Sequence, residues 1–244
     1  MKDTYEKFAF DYDEYGSFFG DEKPFFEKLF KKHGINTVLD CACGTGRHLH
    51  MFSEMGFNVS GSDYSEAMLE VAKSNLEKHG ITIPLCQCDF RFLEQKHTAT
   101  FDAVVCLTTA LPHLHTDTDL VTALKSMKNR LNKGGLLVVT QGNPCFTSSS
   151  PVIQVMANKR DFSRIFIREH DGRLQTLHVL DLFHSDSRTE SNQYAIVLRI
   201  LIGDDYRRLL SEAGFNDINI YGDLAMNEYT EKSQLLIAVA RCTE

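Results

Sequence analysis

No stretch of this chain approaches the roughly 18–20 consecutive apolar residues that cross a bilayer as a helix, so a helical membrane protein is excluded. Positive charge is not in excess either: 26 Lys and Arg stand against 33 Asp and Glu, a formal net charge of −7. That argues against nucleic acid as a partner, because such binding leans on phosphate neutralisation, although a local basic patch stays open. There is no internal repeat and no low-complexity tract, which excludes solenoid and repeat architectures. The even cysteine count of a disulfide framework is missing as well. Seven cysteines, most of them inside apolar runs, suit reduced thiols in a cytoplasm. The opening residues Lys2, Asp3 and Glu6 are charged and mixed, so a signal peptide is not expected. What is present is 43% hydrophobic residues over 244 positions, enough for the core of one domain spanning 1–244.

Residues 1–33 are aromatic and acidic, with Tyr5, Phe8, Tyr12, Tyr15 and Phe18 ahead of Pro24, and read as a helical or irregular N-terminal cap. Alternation follows. Strands are expected at 37–41, 58–61, 83–88, 101–107 and 136–140, and helices at 46–55 and 66–78. A helical stripe runs through Leu120, Leu124, Met127 and Leu131, and Lys133-Gly134-Gly135 is a turn. Strands alternating with helices imply an α/β fold with a parallel, doubly wound sheet. The alternation breaks near Gly142, where Pro144 and Pro151 bracket three serines. Residues 162–202 are rich in β-branched and apolar side chains with a turn at Asp171-Gly172, and read as inserted antiparallel strands. Residues 143–202 are therefore expected to form a lid that, with the cap, encloses a substrate. Helical spacing returns at Tyr206, Leu209, Leu210 and Ala213, and strands at 218–221 and 235–240 close the chain.

The most informative run is Val38-Leu39-Asp40-Cys41-Ala42-Cys43-Gly44-Thr45-Gly46. A strand ending in an acid and a glycine-rich turn opening a helix bring bare backbone close to a small ligand. Asp63 lies 17 residues beyond Gly46, after another apolar run, where a carboxylate can accept from ribose hydroxyls. Two ligands fit: a dinucleotide such as NAD, and S-adenosylmethionine. The dinucleotide fingerprint wants a third glycine where Leu49 stands, which weakens that option. Asp89 and Phe90, after the strand at 83–88, are placed to grip an adenine amino group and stack on its ring.

These residues resemble the motifs of class I S-adenosylmethionine-dependent methyltransferases. The run 38–46 looks like the first motif, Ser60-Gly61-Ser62-Asp63-Tyr64-Ser65-Glu66-Ala67-Met68-Leu69 like the second, and Cys88-Asp89-Phe90 and Phe101-Asp102-Ala103-Val104-Val105 like the third and fourth. Leu131-Asn132-Lys133-Gly134-Gly135 resembles the turn before strand five. The resemblance implies a Rossmann-like seven-stranded sheet and roles by position. Gly44 and Gly46 admit the methionine portion and ribose, Asp40 orders the turn and the amino group, and Cys41 lies in the same cradle. Asp63 takes the ribose hydroxyls, Tyr64 and Met68 lie against adenine, Asp89 holds its amino group with Phe90 as backbone partner, and Leu107 flanks the methionine arm.

Methyl transfer needs a nucleophile aligned opposite an already activated carbon, with water excluded. A thin catalytic signature is therefore expected. Residues 106–115, Cys-Leu-Thr-Thr-Ala-Leu-Pro-His-Leu-His, resemble the Gly-Asn-Ser-x-x-His-Leu stretch of glycine and sarcosine N-methyltransferases. His113 and Leu114 match, while Thr108 and Thr109 replace Gly and Asn, which weakens glycine as the substrate. His113 is the candidate proton acceptor or substrate anchor, and Tyr12, Tyr15, Thr108 and Thr109 are candidate substrate contacts. No Asp/Asn-Pro-Pro-Tyr/Phe stretch for methylating a nucleic-acid base occurs here. Arg160, Arg164, Arg168, Arg173 and Arg199 offer candidate clamps for a substrate carboxylate. Cys41/Cys43 and Cys86/Cys88 alternate along strands, so each pair is expected on one sheet face, but Cys-x-Cys matches zinc spacing poorly and no metal is expected. The expected function is methyl transfer to a small molecule, in the first place an amine nitrogen. O- or C-methylation of a phenol or quinol, an NAD-dependent oxidoreductase, and a non-catalytic nucleotide-binding protein remain as alternatives, and a homodimer stays open.

Overall fold

The computed structural model describes residues 3, 5, 6, 8–15, 21–143, 151–185 and 188–241. The Ser148–Ser150 run of the expected loop, and Pro144 before it, lie outside them. Among the described residues, no helix is long and apolar enough to cross a membrane.

Helix α1, Lys23–His33, carries Pro24 in its first turn, where the fixed φ and missing N–H are tolerated, and stops at Gly34 in the left-handed region. Strand β1 (Thr37–Asp40) leads through the glycine turn into α2 (Arg47–Glu54), and β2 (Asn58–Asp63) into α3 (Glu66–Lys78), capped by the Ser65 hydroxyl. Strand β3 (Leu85–Gln87) is shorter than the sequence predicts because Pro84 has no N–H to give the ladder. Strand β4 (Phe101–Cys106), α4 (Asp117–Lys128) and β5 (Leu131–Gly142) follow. The expected turn at 133–135 is absorbed into β5 as an irregularity: its register against β4 shifts between Phe101 and Ala103.

After β5 come four antiparallel strands, β6 (Val152–Asn158), β7 (Phe162–Asp171), β8 (Leu174–His184) and β9 (Thr189–Arg199). Helix α5 (Gly203–Glu212), β10 (Asp217–Tyr221) and β11 (Leu235–Arg241) complete the chain. The large sheet has the order β10-β11-β5-β4-β1-β2-β3, and β6-β7-β8-β9 form a separate sheet. All neighbours in the large sheet are parallel except β11 against β5 and β10. The chain winds outward from β1 to β3 and then crosses back to β4, so the topological switch lies between β1 and β4, where open α/β sheets bind ligands.

Period-two alternation divides the core. Leu39, Val104, Leu137 and Val139 face α4 and α5, where they meet Leu120, Leu124, Tyr206 and Leu209. Val38, Ala103, Val105, Leu136 and Val138 face the other way, onto Phe26, Phe30, Leu49 and Phe52. The expected cap of residues 1–33 therefore splits in two. Helix α1 belongs to the core of the large sheet, because Phe25, Phe26, Leu29 and Phe30 all fall on its buried face. Only the short 3-10 helix Ala9–Tyr15 and the residues just before it lie against the four-stranded sheet, where Phe8 packs with Val179, Ile196 and Leu198.

Candidate active site

The carboxyl ends of β1, β2 and β4 converge on one turn. Asp40, the last residue of β1, is fully buried. Its Oδ1 accepts from the Ala42 N–H at 3.2 Å, and its Oδ2 has no partner. Burial without a partner pushes the carboxyl up to about 6. Asp63, at the end of β2, accepts from the Gly44 N–H (2.8 Å) and the Ser65 N–H (2.9 Å), and burial raises it as well.

Gly44 and Gly46 both have positive φ, but they serve different ends. A Cβ on Gly44 would enter open space, which is the room a ligand needs. A Cβ on Gly46 would come within 3.2 Å of the Ala72 Cβ, so this glycine permits the close approach of α2 and α3. Both were expected to admit the ligand; at Gly46 the structure supplies a packing reason for glycine as well, and at Gly44 it supplies none.

Other candidates take positions that the linear pattern did not reveal. Cys41 is buried in the core beneath the turn and its N–H bonds to the Val105 carbonyl, so its side chain turns away from the cradle. Phe90 is likewise a core residue, which removes ring stacking and leaves only its backbone for a ligand. Asp89 caps the following 3-10 helix and is bound by Arg91, 2.6 Å away; burial pushes its carboxyl up, but the Arg91 hydrogen bonds outweigh this and hold it below the ordinary value. Arg91 in turn reaches Asp119 at 2.8 Å. Sequence reasoning passed over Arg91, and the signal was its place two residues after an acid. Met68 and Leu107 are buried, and Tyr64 is half-buried with its carbonyl accepting from Gln87.

Past β4, Thr108 and Thr109 adopt φ of 57° and 69°. Two successive β-branched residues in the left-handed region are strained, at about 1–2 kcal/mol each. The turn is held by β5: the Thr108 N–H donates to the Thr140 Oγ1 (3.0 Å), the Thr109 N–H to the Thr140 carbonyl (2.9 Å), and the Gly142 N–H to the Thr109 Oγ1 (3.2 Å). His113 follows in a one-turn 3-10 helix, with its Nε2 2.9 Å from the Tyr5 Oη. Burial, with a smaller contribution from His115, lowers it to about 4, so the ring is neutral at physiological pH. Tyr5, Phe8 and Tyr12 form an aromatic cluster above, with centroids 5.4–6.2 Å apart. Asp13 pins that segment to the glycine turn, accepting from Thr45 Oγ1 (2.7 Å) and Asn75 Nδ2 (2.9 Å). Tyr15 ends the same helix, and its side chain lies outside the described residues.

Four of the five candidate arginine clamps are engaged within the fold; Arg168 donates to Gln154 Oε1 at 2.8 Å, and Arg160 is exposed. Arg164 is buried and bidentate to Asp181 at 2.6 Å, and it donates to the Asp11 carbonyl at 2.9 Å. Arg173 pairs with Asp205, and Arg199 with Asp117. Cys41 and Cys43 fall in the cores on opposite faces of the sheet, contrary to the shared face expected, because the strand ends at Asp40 and the turn reorients the chain. Among the described residues no group of three or more His, Cys, Asp or Glu side chains is placed to hold a metal ion.

An unpartnered buried acid, an open glycine and a second acid stand at the switch of a doubly wound sheet, the place where the class of open α/β proteins takes nucleoside-bearing ligands. Comparison with known proteins specifies it. A family described as a methyltransferase domain matches residues 38–135. The chain is 30% identical over 205 residues to a glycine/sarcosine N-methyltransferase of Halorhodospira halochloris, covering 83% of this chain and 74% of that protein. It is 32% identical over 207 residues to a glycine/sarcosine N-methyltransferase of Parasynechococcus marenigrum, covering 83% and 71%. An S-adenosylmethionine-dependent methyltransferase from Clostridium acetobutylicum shares the fold at a TM-score of 0.85 and 16% identity, over 98% of this chain and 99% of that one. A S-adenosylmethionine-bound amino pentose methyltransferase from Micromonospora echinaspora shares it at 0.77 and 23%, over 97% and 96%. The chain belongs to the class I S-adenosylmethionine-dependent methyltransferases, and S-adenosylmethionine is its methyl donor.

Proposed function

We propose that this enzyme methylates an amine nitrogen of a small molecule by in-line displacement. The observation that carries the reading is His113: a buried, neutral imidazole, hydrogen-bonded to Tyr5, beside the strained turn that ends β4. An amine attacks only when unprotonated, and an uncharged histidine orients it without repelling the cationic product. A group with a value near 4 takes a proton from an ammonium poorly, so His113 serves as an anchor and the proton leaves to solvent. Nearby aromatic faces, Tyr5 and Tyr12, stabilise cationic character at the acceptor.

The residues fit the donor. Asp40 Oδ2, buried and without a partner, suits the ammonium of the methionine portion, Asp63 the ribose hydroxyls, and the space at Gly44 the chain between them. S-adenosylmethionine supplies a sulfonium methyl already activated for displacement. The protein's own work is orientation and exclusion of water, and the N-terminal segment with β6–β9 is suited to be the cover. The relatives named for glycine and sarcosine support nitrogen as the acceptor atom. The engagement of Arg164, Arg173 and Arg199 favours an amine that needs no arginine clamp for a carboxylate. The described cysteines 41, 43, 86, 88 and 106 are free thiols, which supports a reducing, cytoplasmic setting.

The test is turnover of methyl-labelled S-adenosylmethionine against amines, amino sugars, amino acids, phenols and quinols. Label on nitrogen, with the rate rising as pH approaches the acceptor's own pKa, is expected. Label only on oxygen or carbon of phenols or quinols overturns the reading.

A further inference from the structure

The four-stranded sheet shares no apolar core with the large one. Among the described residues, none from β6–β9 belongs to either of the large sheet's two buried clusters. Val179, Ile196 and Leu198 form their own cluster, filled by Phe8 of the N-terminal segment. Two arginines fasten the sheet to α4 and α5 instead. Arg173 pairs with Asp205 of α5. Arg199, the last residue of β9, donates from Nη1 to the His115 carbonyl at 3.2 Å, and its Nη2 forms an ion pair with Asp117, the first residue of α4. In return, the His115 Nε2 donates to the Val197 carbonyl of β9 at 3.0 Å. Strand β9 is an edge strand, so that carbonyl is open to a partner from outside the sheet. The two bonds run in opposite directions between the same two segments and make a clasp. It closes on residues 115–117, which begin two positions after His113.

We propose that Arg199 is a positioning residue for the acceptor site: by clasping residues 115–117 to β9, it sets His113 in place when the four-stranded sheet is docked. This rests on the reading of His113 as the anchor of the amine. Three features single out Arg199. Its side chain is 14% exposed, against 56% for Arg173 and 42% for Arg208, so its ion pair is the least screened of the three. Its planar fork holds a carbonyl and a carboxylate at once in a fixed geometry, which a point charge does not. The third feature is what it steadies. His113 ends a single 3-10 turn, Leu111–His113, whose His113 N–H reaches the Ala110 carbonyl at 3.2 Å, and a turn this short has too little hydrogen bonding to fix its own direction. It is held on one side by Tyr5, from the segment packed on the four-stranded sheet, and on the other by the clasp to that sheet. Docking of the sheet and placement of the acceptor anchor are thus one event. The donor cradle at Asp40, Gly44 and Asp63 is built from β1, β2 and their turn, and takes no part in it.

Histidine-ring NMR on the full chain in complex with S-adenosylhomocysteine tests this. Wild-type His113, lowered to about 4 by burial and by His115, is neutral at about pH 5.5. In Arg199→Met the loosened clasp relieves that burial, so the midpoint should rise toward the ordinary value of about 6.5 and the ring should be largely protonated at about pH 5.5. Asp117→Asn keeps the shape of α4, weakens the same ion pair and should move the ring the same way. It also stands in if methionine at 199 disturbs the fold. The two variants change the local charge in opposite senses, so a shared rise reports position and not charge. S-adenosylhomocysteine affinity, read by calorimetry, should be unchanged in both. Arg208→Met removes the partner that Asp117 has on α5, 2.9 Å away, and should leave His113 neutral. A ring that stays neutral in both Arg199→Met and Asp117→Asn overturns the proposal, and so does equal protonation in Arg208→Met. The ring's titration does not depend on the acceptor. Label on oxygen or carbon therefore sinks the amine reading and leaves the clasp standing, and a neutral ring does the reverse.

Discussion

Replacing Asp40 by Asn should make the ligand-free enzyme more stable and a poorer binder of its donor. The carboxyl is fully buried, and that burial raises it from 3.8 to about 6. Between those values the native state holds a proton that the unfolded chain has released, so stability falls as pH rises through the window, and the full cost is present above about pH 6. A shift of this size corresponds to about 3 kcal/mol. Asparagine keeps an oxygen to accept from the Ala42 N–H but puts an unpartnered amide where Oδ2 stood, which returns part of that gain. The expected net is about 1–2 kcal/mol of added stability near pH 7.5, turning to a net loss of about 1 kcal/mol near pH 4, where the charge cost is gone and the amide cost remains. Urea denaturation at the two pH values reads it directly. Calorimetry near pH 7.5 should show S-adenosylmethionine affinity lowered at least tenfold, because a charge-assisted contact is worth about 1.5–3 kcal/mol. A stability change that is the same at both pH values refutes the burial argument. Unchanged donor affinity refutes the assignment of Oδ2 to the ammonium.

Three further expectations concern neighbouring parts of the site. Asp63→Ala removes the acceptor of the Gly44 and Ser65 N–H groups together with the expected ribose contact, and donor affinity measured by calorimetry should fall about 10–100-fold. Thr140→Val leaves the Thr108 N–H without its acceptor and relaxes the strained turn; kcat should fall about tenfold with donor affinity unchanged, and Thr140→Ser should restore it. Asp181→Ala strands the buried Arg164 charge between β7 and the Asp11 carbonyl, and urea denaturation should show a loss of about 3–5 kcal/mol, where under 1 kcal/mol would mean that water reaches the guanidinium.

The alternation of strands and helices, the acid-then-glycine turn and the order of the motifs were legible because each depends on local chemistry: β-branched runs, caps and positive φ. Asp40, Gly44 and Asp63 stand at the strand ends and in the turn where that chemistry put them, and the donor was legible too. What escaped depends on residues distant in sequence. Arg164 reads as one more surface charge until the antiparallel register of β7 and β8 sets it opposite Asp181. Tyr5 and His113 are 108 positions apart and share a hydrogen bond. The strain at Thr108 and Thr109 explains the resemblance from the other side: glycine and asparagine, which stand there in the glycine and sarcosine enzymes' pattern, enter the left-handed region most readily, whereas this chain needs Thr140 to hold threonines in it.

The sequence by itself thus determined the sheet, the turn and the methyl donor, since a strand end and a glycine carry their geometry with them. Only the tertiary structure decided which candidates open onto the cradle and which face the core. It turned Cys41 and Phe90 inward, set Gly46 against Ala72 and Gly44 beside open space, and drew Arg164, Arg173 and Arg199 into ion pairs. The reason is physical: a side chain's direction and charge partner depend on the register and crossing of elements that meet only once the chain is folded.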